Sequence, residues 1–142
     1  MPVVYHGTSR AFALAMAGTP PNGTIDVTRG RGEFGRGFYT QDSIGNAARR
    51  GYLIYGSNGS LLTLEIDDHH YHALNIERLT LNRAQKLNAQ LRASGTQDLY
   101  MTKDDVIVGP LVNQPKFEQQ KFQTGAAQTL LNGPRTRRIV RP

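Results

Sequence analysis

An α+β domain is predicted for this chain from three observations: many short β-prone runs, about three segments with helical spacing, and Gly/Pro-rich breaks between them. Val3-Val4-Tyr5-His6 is β-prone and leads into Gly7-Thr8-Ser9, a strand meeting a turn. Ser9 suits the N-cap of a short helix through Ala17, with Phe12, Ala15 and Met16 as its apolar stripe and Gly18 ending it. Thr19-Pro20-Pro21-Asn22-Gly23 predicts a loop. A Gly/Arg-rich stretch over 29–37 then precedes a short strand, Phe38-Tyr39-Thr40. Asp42 or Ser43 is expected to cap a helix running through Asn46-Ala47-Ala48-Arg49-Arg50.

Beyond the loop Gly56-Ser57-Asn58-Gly59, Leu61 to Ile66 reads as a strand. Helical spacing is clearest between Asn82 and Ala93, where Ala84, Leu87 and Leu91 recur at intervals of three and four, and Ser94-Gly95 stops it. Val106-Ile107-Val108 predicts a buried strand closed by Gly109-Pro110. A strand around Gln119–Thr124, a short helix Ala126–Leu131 and a basic strand or tail, Arg135–Pro142, complete the chain.

The 142 residues suit one domain, 1–142, with one hydrophobic core. No run approaches the roughly 18 apolar residues of a membrane span, and no membrane role is expected. Met1 to His6 lacks the basic and apolar regions of a secretory signal, so any export is expected to be directed from outside this sequence. The absence of cysteine excludes disulfides, a thiolate nucleophile and cysteine-ligated zinc. The net charge of +6 favours an anionic ligand or partner. It is uneven: residues 1–52 carry +3, 53–113 carry −2 and 114–142 carry +5. Thirteen of the 17 basic residues are Arg, whose planar fork matches phosphate oxygens.

Three segments carry the chemistry: Tyr5-His6-Gly7-Thr8, Phe34-Gly35-Arg36-Gly37-Phe38-Tyr39, and Glu118-Gln119-Gln120-Lys121-Phe122-Gln123-Thr124. In their order and setting they resemble the ADP-ribosyltransferase superfamily, in its His-Tyr-Glu branch, which holds diphtheria-type toxins, poly(ADP-ribose) polymerases and bacterial relatives. Ala47-Ala48 after the Tyr39 segment, and Ala127 and Leu131 near the end, extend the resemblance from His6 to Leu131.

The resemblance implies two short, strongly bent sheets enclosing an NAD⁺ cleft, with about three helices outside. It implies NAD⁺ as co-substrate, no metal, and His6, Tyr39 and Gln119 as catalytic residues. His6 would bond the adenosine ribose, Gly7 would leave room for the nicotinamide amide, and Thr8 would lie beside them. Tyr39 would stack on the nicotinamide, with Tyr52 as a second stacking ring and Phe34, Gly35 and Phe38 around it. Gln119 would reach the other ribose, and an Arg from 29–36, such as Arg31 or Arg36, would hold the pyrophosphate. Cleavage of the nicotinamide–ribose bond has an oxocarbenium-like transition state, which is why positioning and charge stabilisation are asked of these side chains.

Gln119 stands where the fullest pattern has Glu, which points to transfer of a single ADP-ribose; a shift of one residue would give the place to Glu118. The family style implies a toxin module of a larger secreted bacterial protein, acting in a target cell's cytoplasm and neutralised by an acidic immunity protein. The acceptor is left open between structured RNA and a protein side chain. His69-His70-Tyr71-His72 is expected to be a surface turn rather than a metal site. Arg135 to Arg141 is either a phosphate-binding tail or a charged edge strand.

Overall fold

A computed structural model of the protein describes residues 2–18, 24–95 and 102–141; the loop expected at 19–23 lies outside them, as does Pro142. The architecture is mixed α+β. Strand β1 (Val3–Ser9) runs directly into helix α1 (Arg10–Ala17), because the Ser9 side chain accepts the Phe12 amide at 3.1 Å and caps it. The Gly/Arg stretch, for which the sequence predicts no element, forms a hairpin of two-residue strands, β2 (Arg31–Gly32) and β3 (Gly35–Arg36). Strand β4 (Phe38–Gln41) leads to helix α2 (Ile44–Tyr55), which Ser43 rather than Asp42 caps and which runs past the expected Arg50. A single 3₁₀ turn, Gly56–Asn58, leads into β5 (Gly59–Ile66).

The second half opens with the five-residue helix α3 (Asp68–His72), formed by the histidine-rich segment expected to be a turn. Strand β6 (Ile76–Arg78), not foreseen, and helix α4 (Leu81–Ser94) follow. Strand β7 (Val106–Leu111) carries on through Gly109-Pro110, where it was expected to end. It is succeeded by β8 (Gln114–Phe122), helix α5 (Gly125–Asn132) and β9 (Thr136–Arg141). Five α-helices thus stand where about three were expected, among the described residues.

Seven strands share one sheet in the order β6-β7-β8-β4-β1-β5-β9, antiparallel except for β6 on β7. Its joints are unequal. The β1–β5 ladder pairs seven residues and β4–β8 four, whereas β1 and β4 meet at one pair, Tyr5↔Gln41. Alternation along β7 divides the core: Val106 and Val108 join Val4, Leu62, Leu64 and Phe122 on one face. Ile107 joins Phe34 and the α4 residues Ala84, Leu87 and Leu91 on the other. The stripe foreseen on α1 behaves differently, since Ala13 is its buried residue and Phe12 is 57% exposed.

Helix α2 lies unusually close to β1 and β5, and three glycines make this possible. A Cβ on Gly7 would sit 2.0 Å from the Ala47 carbonyl oxygen; one on Gly59 would sit 2.7 Å from that of Gly51. The segment 24–27 is fastened to α5 by side chains: Asn132 Oδ1 accepts the Ile25 amide at 2.7 Å and its Nδ2 donates to the Ile25 carbonyl at 2.8 Å. Gln128 Oε1 accepts the Val27 amide at 3.0 Å. No helix among the described residues is long and apolar enough to cross a membrane.

Candidate active site

A cavity of about 700 Å³ opens at the β1–β4 junction, within the roughly 300–1,000 Å³ typical of small-molecule sites. Its walls come from β1 (His6, Gly7, Thr8), from β4 (Phe38, Tyr39, Gln41), and from Gln119 on β8. The sequence-predicted trio His6, Tyr39 and Gln119 therefore shares one cavity, although it comes from widely separated parts of the chain. The strand registers bring the three backbone positions close together: Gln119 lies opposite Gln41, two residues from Tyr39, and Gln41 lies opposite Tyr5, the neighbour of His6.

His6 is half-buried and packed on the Phe38 ring at 4.4 Å between centroids. Its Nδ1 donates to the Tyr39 carbonyl oxygen at 2.6 Å, because a carbonyl can only accept. Burial is the main cause that lowers its pKa to about 4; the Tyr39 bond opposes this and the Arg50 charge adds to it. The imidazole is thus neutral near pH 7, with Nε2 as an acceptor.

Tyr39 is held by the β2–β3 hairpin. Its hydroxyl donates to the Gly35 carbonyl at 2.5 Å and accepts the Phe34 amide at 2.9 Å. Burial pushes its pKa up, so the phenol keeps its proton. Gly35 has φ of 90°, a left-handed conformation that glycine adopts without strain. Gly32 gives the ring room, since a Cβ there would come within 2.6 Å of it. Lys121 braces the hairpin from the opposite strand, donating from Nζ to the Phe34 carbonyl at 2.7 Å. Burial is the main reason its pKa falls to about 8, with Arg36 contributing.

Gln119 is 4% exposed and donates from Nε2 to Glu33 Oε1 at 2.7 Å. A carboxylate only accepts, which fixes the amide with its own oxygen turned away from Glu33. Glu33 Oε1 also takes the Val112 amide at 2.9 Å. The alternative residue, Glu118, faces elsewhere: it lies 3.8 Å from Arg78 and its backbone is paired with Asp42.

Several residues expected to touch a ligand lie away from the cavity wall or serve the fold there. Phe34 is fully buried against α4, so it supports the hairpin instead of facing the cavity. Gly35 and Arg36 lie outside the cavity wall, the first positioning Tyr39 and the second lying beside Lys121. Arg31 has its backbone in β2, and its side chain lies outside what is described. Tyr52 is 67% exposed, and Tyr55, on the next turn of α2, lines the cavity in its place. Gly7 lines the cavity, but its missing side chain serves the approach of α2. Phe12, Ala15 and Met16, expected as the apolar stripe of α1, line the cavity, and Met16 packs against the core as well.

Sequence reasoning missed Glu33, Gln41, Arg50 and Tyr55, all on the wall. Among the described arginine side chains of the Gly/Arg stretch, Arg29 reaches the wall, paired with Asp26 at 3.1 Å. A smaller cavity, about 370 Å³, adjoins the first and shares Glu33, Gln41, Arg50 and Leu111 with it. Among the described residues no group of three or more His, Asp or Glu side chains is placed to hold a metal ion. A comparison with known proteins finds no family model that matches the chain and no curated protein that matches its sequence.

Proposed function

We propose that the chain is an NAD⁺-dependent mono-ADP-ribosyltransferase, and the observation that carries this reading is the meeting of His6, Tyr39 and Gln119 on one cavity. NAD⁺ would supply an ADP-ribosyl group activated by its nicotinamide, which leaves as a neutral molecule. The side chains fit such a co-substrate. His6, neutral and anchored through Nδ1, offers Nε2 to a ribose hydroxyl. Tyr39, its hydroxyl tied to the hairpin, offers a fixed ring for stacking. The Gln119 amide oxygen is left for the second ribose, while Arg50 and Arg29 on the cavity wall suit a pyrophosphate.

The single β1–β4 pair supports reading the sheet as two bent halves with the cleft between them, the ADP-ribosyltransferase arrangement. The net charge of +6 suits an acidic immunity protein and an anionic acceptor. On this reading the chain is the toxin module of a larger secreted protein and acts in a target cell's cytoplasm.

The test is labelled NAD⁺ incubated with cell lysate, then divided for nuclease and protease treatment. Labelling of a macromolecule is expected, and both His6→Ala and Tyr39→Ala should abolish it without unfolding the domain. Free ADP-ribose with no labelled macromolecule would reassign the chain as an NAD⁺ glycohydrolase. Absence of nicotinamide release would refute the reading.

A further inference from the structure

We infer that the smaller cavity receives the acceptor and that Glu33, in the wall between the two cavities, takes the proton from an acceptor hydroxyl carried by RNA. This rests on the ADP-ribosyltransferase reading above. Glu33 is the carboxylate common to both cavities. Its position is fixed by two donors on Oε1, Gln119 Nε2 at 2.7 Å and the Val112 amide at 2.9 Å. It thereby brings to the site the negative charge that Gln119 lacks.

The walls select the acceptor's chemistry. At the wall shared by the two cavities a carboxylate nucleophile would approach the like charge of Glu33, and an ammonium or guanidinium would have no lone pair for attack until it lost a proton. A neutral hydroxyl meets neither penalty. Around it, the two Arg side chains suit phosphates, and the carboxamides of Asn46 and Asn113 suit base edges. Leu53 and Ile54, 69% and 57% exposed, suit the flat face of a base.

In the transfer, the acceptor oxygen forms a bond to the anomeric carbon of the nicotinamide ribose. The bond from that carbon to the pyridinium nitrogen breaks, its electron pair leaving with nicotinamide. The hydroxyl proton passes to the Glu33 carboxylate and from there to water. The charged and titratable groups around Glu33 across both cavities are Tyr5 and His6 of β1, Tyr39 of β4, Arg49, Arg50 and Tyr55 of α2, Asp26 and Arg29.

The experiment uses the full chain, NAD⁺ labelled in its adenylate phosphate, and three acceptor probes: total RNA, DNA, and lysate protein freed of nucleic acid. RNA alone should be labelled, and the adduct should survive neutral hydroxylamine, which cleaves carboxylate-linked ADP-ribose. Glu33→Gln keeps an acceptor oxygen for Gln119 and Val112, so it should bind NAD⁺ within twofold of wild type by calorimetry. Its transfer should fall about 100-fold or more, the scale of a lost general base, and the residual rate should climb with pH as hydroxide substitutes. Arg49→Glu, on an exposed position of the smaller cavity, should lower RNA labelling at least about tenfold and leave NAD⁺ affinity unchanged.

Wild-type transfer by Glu33→Gln, or loss of its NAD⁺ affinity together with transfer, overturns the assignment. So does label on protein or DNA in place of RNA, or an adduct released by hydroxylamine. A wild-type protein that neither binds NAD⁺ nor releases nicotinamide overturns the transferase reading itself, a separate result.

Discussion

The His6 ring donates from Nδ1 to the main-chain oxygen of Tyr39 at 2.6 Å, so the two rings of the candidate site are aligned by one bond across the β1–β4 junction. Burial holds the imidazole pKa at about 4 against an ordinary 6.5. The unfolded chain therefore binds a proton that the folded chain refuses between those values, and stability must rise with pH across that window. The contribution is on the order of 3 kcal/mol, present above pH 6.5 and lost as pH falls toward 4. Asp26 and Asp67 have pKa values lowered from 3.8 and titrate below this window. Urea unfolding of wild type and His6→Asn between pH 4 and 8 should give a steeper pH dependence for wild type; equal slopes would count against a neutral His6.

Removing the Tyr39 hydroxyl separates anchoring from stacking. Tyr39→Phe loses the bonds to the Gly35 carbonyl and the Phe34 amide, at a cost of about 1–3 kcal/mol. The ring is kept, so NAD⁺ should bind nearly as well as to wild type once the protein is folded. Calorimetry below the unfolding transition checks this, and a complete loss of binding would assign the hydroxyl a direct ligand contact.

Gly7 and Gly45 offer a matched pair in and beside α2. Gly7→Ala forces a Cβ onto the Ala47 carbonyl oxygen and should cost about 3 kcal/mol or more. Gly45→Ala meets nothing within 4 Å and should stabilise α2 by about 0.5–1 kcal/mol. Denaturant midpoints of the two variants give the comparison, and a stable Gly7→Ala would contradict the observed approach of helix to strand.

The two α2 tyrosines should behave differently. Tyr52→Ala removes an exposed ring and should leave NAD⁺ affinity unchanged. Tyr55→Ala removes part of the cavity wall and should weaken binding about threefold to tenfold, the scale of one aromatic contact. Titration of both variants decides between them, and the reverse ranking would restore Tyr52 to the site.

What the sequence revealed and concealed follows from how far each signal reaches along the chain. Ser9, Ser43 and Gly95 could be read as caps because a cap acts within one turn, and Ala84, Leu87 and Leu91 repeat at the helix period. The β2–β3 hairpin and β6 escaped because strands of two or three residues have no alternation to read. His6, Tyr39 and Gln119 stood within recognisable segments, so their meeting could be foreseen. Glu33 could not: it is one acid in a Gly/Arg run, and its importance comes from Gln119 and Val112, which lie far along the chain. Tyr55 stayed hidden because it lies on the last turn of α2, past the segment through Arg50 that reads as helix, and no local motif marks it.

The lone Tyr5↔Gln41 pair gives the sheet a seam. On one side β1, β5 and β9 form a block stiffened by long ladders; on the other, β4, β8 and β7 form a second. His6 belongs to the first block, Tyr39 and Gln119 to the second. A molecule gripped by all three acts as a strut across the joint. Its binding should stiffen the whole protein, slowing amide exchange at positions it never touches.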